Sequence, residues 1–170
     1  MLQPTAIIDQ LSQHEKLFQN LLQNQAAELY QWKAAPTRWS LLEIVCHLYD
    51  EEIEDFRSRV EICLTNPNAT LPSIDPEAWV KDRNYAQQDY ATILAKFLSA
   101  RVENVNWLRQ VKSANWENAS QHPIFGPRSA AFFLSNWLAH DYLHIRQILS
   151  VKHGYLAEKS EQDLSYAGNW

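Results

Sequence analysis

The chain has 170 residues and a formal net charge of −5; 46% of its residues are hydrophobic and only three are glycine. This length predicts a single domain over residues 1–170 that can bury a continuous core, and the scarcity of glycine favours helices over a turn-rich β fold. The acidic balance and the lack of a basic patch in the sequence argue against a nucleic-acid partner. No apolar run approaches the ~20 residues of a membrane span, so no membrane partner is expected.

The cysteines and the N-terminal residues bear on the cellular compartment. Cys46 and Cys63 fall in one predicted helix, whose rise would separate them by about 25 Å, too far for a disulfide. The N-terminal residues lack the charged and apolar regions of a signal peptide. We therefore expect a cytoplasmic protein with both thiols reduced.

Two amphipathic segments occupy the first part of the chain. The first predicted helix covers about 5–32, where apolar residues recur at three- and four-residue steps, and Pro36 prevents its continuation. The second begins at Ser40, which is followed by Glu43 in the spacing of a capping box, and covers about 40–64.

The rest of the chain contains two proline-containing connections and two more predicted helices. Residues 66–83 include three prolines and cannot form one helix, so we predict a crossover or a lid there. The third helix covers about 85–111, and the fourth covers about 129–153 with Gly154 as its C-cap. Because the fourth is apolar nearly all round, it should be buried on most sides. With no strand signal, the pattern predicts an all-α four-helix bundle with at least one crossover.

Two polar residues interrupt apolar faces of these predicted helices. Arg101 lies on the apolar side of the third helix, where a buried ion pair with a carboxylate is expected. His14 falls in the apolar stripe of the first helix and is predicted to be a core or boundary residue rather than a metal ligand.

A pair of histidines stands four residues apart in the fourth predicted helix. His140 and His144 therefore share a face, and both imidazoles can reach one metal ion. On such an apolar helix, the same spacing is also compatible with two hydrogen-bonded core histidines.

A third histidine lies in the second predicted helix, within a row of carboxylates. On a helical wheel His47 is flanked by Glu43, Asp50 and Glu51, opposite the apolar stripe, and this row alone is typical of a solvated polar face. Together with the histidine pair, however, it predicts three imidazoles around one ion with an open coordination position, as in catalytic metal sites. Each of the three carboxylates is then a candidate to orient a ligand ring, to be a fourth ligand or to act as a general base.

Two runs of the sequence resemble the DinB-like superfamily of small bacterial metalloproteins. They are residues 39–50, WSLLEIVCHLYD, and residues 140–148, HDYLHIRQI, and the segment 75–79, DPEAW, fits as well. The resemblance implies a four-helix bundle in up-down-down-up order, with the long crossover between helices 2 and 3, often as a homodimer. It also implies a three-histidine metal site, which falls on His47, His140 and His144.

Three functions are compatible with such a site. Three imidazoles suit a borderline divalent ion such as zinc, nickel, iron, copper or manganese. Water at the open position would have a lowered pKa and could hydrolyse an amide or ester of a small-molecule substrate, with Glu43, Asp50 or Glu51 handling protons. The ion would equally hold a low-molecular-weight thiol as its thiolate for S-transfer, an activity that the resemblance also implies and the preferred interpretation for detoxification-type chemistry. A non-catalytic metal-binding or interaction protein is the third reading.

Overall fold

Four long helical rods make up the protein. The structure is a computed structural model that describes residues 2–170. Met1, where the predicted domain begins, lies outside the described residues. The helices are α1 (Pro4–Leu22), α2 (Ala27–Tyr30), α3 (Leu41–Asp50), α4 (Phe56–Thr65), α5 (Pro76–Asp82), α6 (Tyr90–Gln110) and α7 (Ala130–Ser160). A π-helical turn at Glu51–Asp55, here called the π turn, joins α3 and α4 into one rod, and 3₁₀ turns occupy Tyr85–Gln87 and Ser165–Ala167. A hairpin of β1 (Ala119–His122) and β2 (Gly126–Ser129) precedes α7.

The packing of the rods gives their order in the bundle. The α1 helix and the α3–α4 rod each pack against both α6 and α7, which places them at opposite corners. Tyr90, at the start of α6, donates to the carbonyl of Leu22 at the end of α1, so these two helices are antiparallel. Lys152, late in α7, donates to the carbonyl of Leu21, so α7 runs parallel to α1.

The α3–α4 rod runs parallel to α6. The Sγ atom of Cys46 lies 3.8 Å from the carbonyl oxygen of Tyr85, just before α6, whereas Glu52 pairs with Arg101 further along both helices. Parallel neighbours need a connection that returns along the bundle, and residues 66–89, which include α5, provide it. The predicted up-down-down-up bundle with a long crossover between the second and third rods is therefore confirmed.

The predicted first helix is too long. The α1 helix ends at Leu22, because the polar residues that follow offer no apolar side chain to the core, and Asn24 adopts a left-handed φ of 59°. Residues Ala27–Tyr30 then form the separate single turn α2.

The predicted fourth helix, in contrast, is too short at its C-terminal end. The α7 helix continues through Gly154 to Ser160, and Glu161 with a left-handed φ of 52° follows it. Glycine at position 154 makes room for a neighbour, because a Cβ atom there would lie 2.8 Å from the indole ring of Trp32.

The short β-hairpin was not predicted. Its strands have four residues each, too few to show an alternating apolar pattern, and Gly126 at the start of β2 has a φ of 71°. Backbone bonds from Leu71 to the Gln121 carbonyl and from Gln121 to the Ala69 carbonyl tie the hairpin to the crossover. The hairpin therefore anchors the crossover beside the N-terminal end of α7.

Ser40 begins α3 with the predicted capping box. Its hydroxyl accepts from the Glu43 amide, and the Glu43 carboxylate accepts from the Ser40 amide at 2.8 Å. This cap fixes the first turn of the helix that carries His47.

Replacing Ser40 with alanine should lower the free energy of unfolding by about 1 kcal/mol, because the amide of Glu43 loses its acceptor. Urea unfolding followed by circular dichroism measures this change. The matched control is Ser135→Ala on the exposed face of α7, which should stay within about 0.5 kcal/mol of the unaltered protein. Equal losses in the two variants would contradict the capping role.

Candidate metal centre

The three histidines converge where α3 faces α7. His47 projects from α3, and His140 and His144 project from successive turns of α7. The Nε2 atom of His140 lies 3.1 Å from Nε2 of His47 and 3.0 Å from Nε2 of His144. One ligand atom of each residue lies within 4.8 Å of the others, so the three can surround a single ion.

All three imidazoles are held in the neutral form. Burial, together with His144, lowers the pKa of His47 to about 3. Burial and the two neighbouring imidazoles lower the pKa of His140 to about 2, and burial also lowers the pKa of His144. Neutral imidazole is the form that coordinates a metal, so the ring nitrogens are ready to bind without losing a proton.

The ring nitrogens facing away from the centre differ in their contacts. Nδ1 of His144 lies 2.7 Å from the side-chain oxygen of Gln147, to which it can donate, and this leaves Nε2 of His144 as a bare acceptor facing the other two rings. Nδ1 of His47 is buried and has no hydrogen-bond partner within residues 2–170; Oε1 of Glu51 lies 3.9 Å from it. A small movement of Glu51 would complete the carboxylate–histidine pairing that orients metal ligands.

The spacing of the nitrogens suits a metal ion. At metal–nitrogen distances of about 2.1 Å, tetrahedral geometry places two ligand nitrogens about 3.4 Å apart. The observed 3.0 and 3.1 Å are close to this value. Without a cation, converging lone pairs repel one another, and one shared proton relieves only one of the two close contacts.

Glu43 and Asp50 use their carboxylates in structural contacts. Besides its role in the cap, Glu43 accepts from Nζ of Lys33 at 2.7 Å. Asp50 accepts from the hydroxyl of Tyr85 and pairs with Arg83 at 3.0 Å. These contacts hold the α2–α3 connection and the crossover against α3.

Glu51 is the predicted carboxylate that lies beside the histidines. It is buried, and this burial raises its pKa to about 7, although the nearby positive charge of Arg59 opposes the shift. Its carboxyl group can therefore exist in either protonation state near neutral pH.

Sequence reasoning missed Glu52, which connects the site to the core. Its carboxylate accepts from Arg101 at 2.6 Å and from the indole of Trp137 at 2.7 Å. Arg101 also forms a pair of 2.7 Å bonds to both oxygens of Asp141, the residue after His140, and this gives it the predicted buried ion pair. His14 bonds the same Asp141 at 2.9 Å, so side chains from all four rods meet in one network directly behind the histidine pair.

This network divides the core of the bundle. On each long rod, its members fall between two clusters of buried apolar residues, one around Phe18 and Phe97 and the other around Leu11 and Trp137. Buried carboxylates next to an arginine remain charged: burial disfavours ionisation of Asp141, but Arg101 outweighs burial and keeps the pKa of Asp141 below its usual value. The network therefore fixes the rotation of α7 that presents His140 to His47.

An open cavity of about 960 Å³, here called the mouth cavity, gives access to all three histidines. Its other walls include two arginines, two tryptophans and a glutamine: Arg38, Trp39, Arg146, Gln147 and Trp170. The indole of Trp39 is stacked parallel to the His144 ring with centroids 6.4 Å apart. The predicted carboxylates Glu43, Asp50 and Glu51 do not line this cavity.

The cysteines are free thiols, and both are buried. Burial, with help from the negative charges of Asp50 and Glu43, raises the pKa of Cys46 to about 12. Cys46 is therefore a packing residue of α3 despite its position next to His47, as a thiol in this state is a poor nucleophile.

Comparison with solved structures agrees with this architecture. YfiT from Bacillus subtilis, described as a probable metal-dependent hydrolase with an unusual four-helix bundle topology, matches with a TM-score of 0.76. The two proteins share 15% sequence identity, and the match covers 94% of this chain and 89% of YfiT.

Among residues 2–170, no helix has the length and apolar character needed to cross a bilayer.

Comparison with protein families identifies the relationship suggested by the two sequence runs. No curated protein matches the sequence. The profile of the DinB superfamily, however, matches residues 10–148, a range that includes all three histidines. The chain therefore belongs to the DinB superfamily.

Proposed function

We propose that this protein is a metal-dependent hydrolase that acts on an amide or ester bond of a small molecule, with His47, His140 and His144 as the ligands of a divalent ion. The observation that carries the proposal is that the Nε2 atoms of three neutral imidazoles converge at the end of an open cavity. The likeness to YfiT, itself described as a probable metal-dependent hydrolase, supports it.

A bound divalent ion would polarise the scissile carbonyl and lower the pKa of a coordinated water towards about 7. The reaction adds the hydroxyl of one water to the acyl carbon and its proton to the departing amine or alcohol, while the C–N or C–O bond breaks. Gln147 keeps the Nε2 atom of His144 free for coordination, and Trp39 holds the His144 ring by stacking. The mouth cavity is lined by two arginines and one carboxylate: Arg38, Arg146 and Glu77. The excess positive charge would attract an anionic substrate.

Among the three predicted catalytic carboxylates, we assign Glu51 as a positioning residue that orients the His47 ring. Its distance of 3.9 Å from Nδ1 of His47 and its burial support this role over a direct contact with substrate. Glu43 and Asp50 would act one step further away, by holding α3 and the crossover in place.

Thiol S-transfer is the second candidate. The mouth cavity is large enough for two small molecules, and its two arginines suit an anionic thiol. In that reaction, the sulfur of the thiol forms a bond to an electrophilic carbon, the leaving group departs with the bond electrons, and the thiol proton goes to solvent.

Turnover assays separate the candidates. Protein loaded with Zn²⁺, Ni²⁺ or Mn²⁺ should hydrolyse 4-nitrophenyl esters or 4-nitroanilides, and chelation or His140→Ala should abolish this activity. Glu51→Gln should reduce it, whereas Glu61→Gln on the exposed side of α4 should not. Conversion of 1-chloro-2,4-dinitrobenzene only when cysteine is added would favour S-transfer. A large ion-induced rise in melting temperature without any turnover would favour the non-catalytic reading.

The predicted homodimer and cytoplasmic location stay predictions. Sedimentation velocity of the purified chain tests the first, because a dimer of a 19.8 kDa chain is readily separated from the monomer.

A further inference from the structure

A second cavity adjoins the histidines, and the proposed reaction does not yet use it. This hairpin cavity has a volume of about 500 Å³ and lies between the β-hairpin, the crossover, the π turn with α4, and α7. His140 and Leu143 line both it and the mouth cavity. A molecule in the hairpin cavity would therefore contact one of the three proposed ligands.

The walls of the hairpin cavity are mostly apolar. They include four aromatic and two branched aliphatic side chains: Phe56, Ile74, Ile124, Phe125, Phe132 and Phe133. A volume of this size falls within the range of cavities that bind small molecules, and such cavities are lined mainly by apolar groups with a few polar ones that fix orientation. The walls thus suit an aromatic ring or a branched aliphatic group.

One of the polar groups in this cavity is a buried arginine with spare hydrogen-bonding capacity. Arg59 is 4% exposed, and its Nη1 atom is buried without a hydrogen-bond partner within residues 2–170. Its Nε donates to Asp55, and its Nη2 lies 3.4 Å from the carbonyl of Pro72. A buried guanidinium with an unsatisfied N–H is unfavourable, so a small movement of the Arg59 side chain that brings Nη1 into the cavity, where a ligand supplies an acceptor, would be favoured.

The nearby titratable groups other than Asp55 do not supply that acceptor: Glu51 acts on Arg59 through its charge, and no hydrogen bond joins it to Nη1 within residues 2–170. His122 lines the cavity, and burial together with the positive charges of Arg59 and Arg128 lowers its pKa. Its Nδ1 accepts from the amides of Ile124 and Phe125, which keeps the ring occupied within the hairpin. Asp55 accepts from Nε, and Glu51 is close without bonding Nη1, so Nη1 remains available to donate to a carboxylate or carbonyl oxygen.

We propose that the hairpin cavity binds a small apolar carboxylate, whose aromatic or branched aliphatic group packs against Phe125 and Phe132 while its carboxylate pairs with Arg59. This interpretation of the substrate rests on the proposed hydrolase function. The hairpin cavity would hold the part of an amide or ester that carries an apolar group and a free carboxylate, separate from the bond to be broken. His140 in the shared wall places the bond to be broken beside the proposed ion.

The test is a titration of isotopically labelled protein with 3-phenylpropionate, followed by amide chemical shifts and performed with and without Zn²⁺. Shifts should concentrate at residues 122–126 and 139–143. The neutral analogue 3-phenylpropanamide should bind about tenfold more weakly, because it loses the charge on the group that meets Arg59. Binding in metal-free protein is expected, so the result does not depend on whether the histidines hold an ion.

Two pairs of variants make the test specific. Ala139 is an exposed α7 residue that lines the cavity, and Ala139→Phe should fill it and weaken binding by about tenfold or more. The control Ala157→Phe lies on the same helix away from the cavity and should bind as the unaltered protein does. Arg59→Gln should remove the preference for 3-phenylpropionate over 3-phenylpropanamide, whereas Arg57→Gln should keep it. If Arg59→Gln does not fold, the effect of Ala139→Phe on binding still tests the proposal.

Three outcomes would overturn the proposal. One is equal binding of the acid and the amide, and another is unchanged binding in Ala139→Phe. The third is a dimer that covers this face: Ile124 and Phe125 are 81% and 56% exposed, and Ile124→Asp would then dissociate the dimer while 3-phenylpropionate fails to bind. The two proposals can fail separately. If His140→Ala loses the metal but no form of the protein binds 3-phenylpropionate, the hydrolase proposal stands and the proposal for the hairpin cavity is rejected.

Discussion

The His140→Ala variant should lose the single divalent ion that the unaltered protein is expected to carry. His140 is the central member of the group, because its Nε2 lies within 3.1 Å of the Nε2 atoms of both His47 and His144. Its removal leaves two imidazoles, too few for a stable site of the three-ligand type. Elemental analysis of protein purified without chelator gives the metal content of each variant directly.

The matched control for this experiment is His153→Ala. His153 lies on the same helix and stacks on Trp170, outside the group of three, so its loss should leave the metal content unchanged. Added Zn²⁺ at about 100 times its dissociation constant should stabilise the unaltered protein by about 2.7 kcal/mol, and His140→Ala much less. Equal metal content in His140→Ala and the unaltered protein would disprove the ligand assignment.

The Arg101→Met variant should be destabilised by about 3–5 kcal/mol, a large fraction of the stability of a domain of this size. Arg101 is 1% exposed and bonds the carboxylates of Glu52 and Asp141. Its replacement leaves two buried negative charges without a cation, and methionine fills most of the volume without satisfying either. The midpoint of urea unfolding, with the slope checked for two-state behaviour, measures the loss.

Two further variants identify the cause of that loss. Arg109→Met changes an exposed arginine on the same helix whose guanidinium donates to the hydroxyl of Ser12, and it should cost less than about 1 kcal/mol. The triple variant Arg101→Met, Glu52→Gln, Asp141→Asn removes the uncompensated charges as well and should recover part of the stability. A triple variant less stable than Arg101→Met would show that buried charge is not the main reason for the loss.

Those parts of the site that depend on local spacing could be predicted. Two histidines four residues apart on one helix must share a face, and Ser40 followed by Glu43 is a local capping signal. The meeting of His47 with this pair came from the family resemblance and from the complementarity of a histidine among acids with a histidine pair. Spacing alone does not determine which faces of two distant helices will meet.

The surroundings of the site could not be predicted, because the helix that carries His47 is irregular. A wheel at 100° per residue assumes a continuous α-helix, whereas the π turn inserts an additional residue into one turn after Asp50. Beyond that point, the wheel is misleading: it places Ile53 in the apolar stripe, but Ile53 is 46% exposed, and Glu52 is buried at the centre of the bundle. The face of α3 that the sequence alone suggested to be solvated is also buried, because the α2–α3 connection, the crossover and α7 cover it.

The great distance along the chain between His47 and His140, 93 residues, has a kinetic consequence for any ion held between them. The coordination sphere cannot assemble until α7 has docked against α3, and we expect this long-range contact to form after the folding transition state. An ion should therefore leave the refolding rate almost unchanged and act on the reverse process, slowing the escape from the native state. In a cell that offers the metal only intermittently, each captured ion would lengthen the lifetime of a molecule that has already folded.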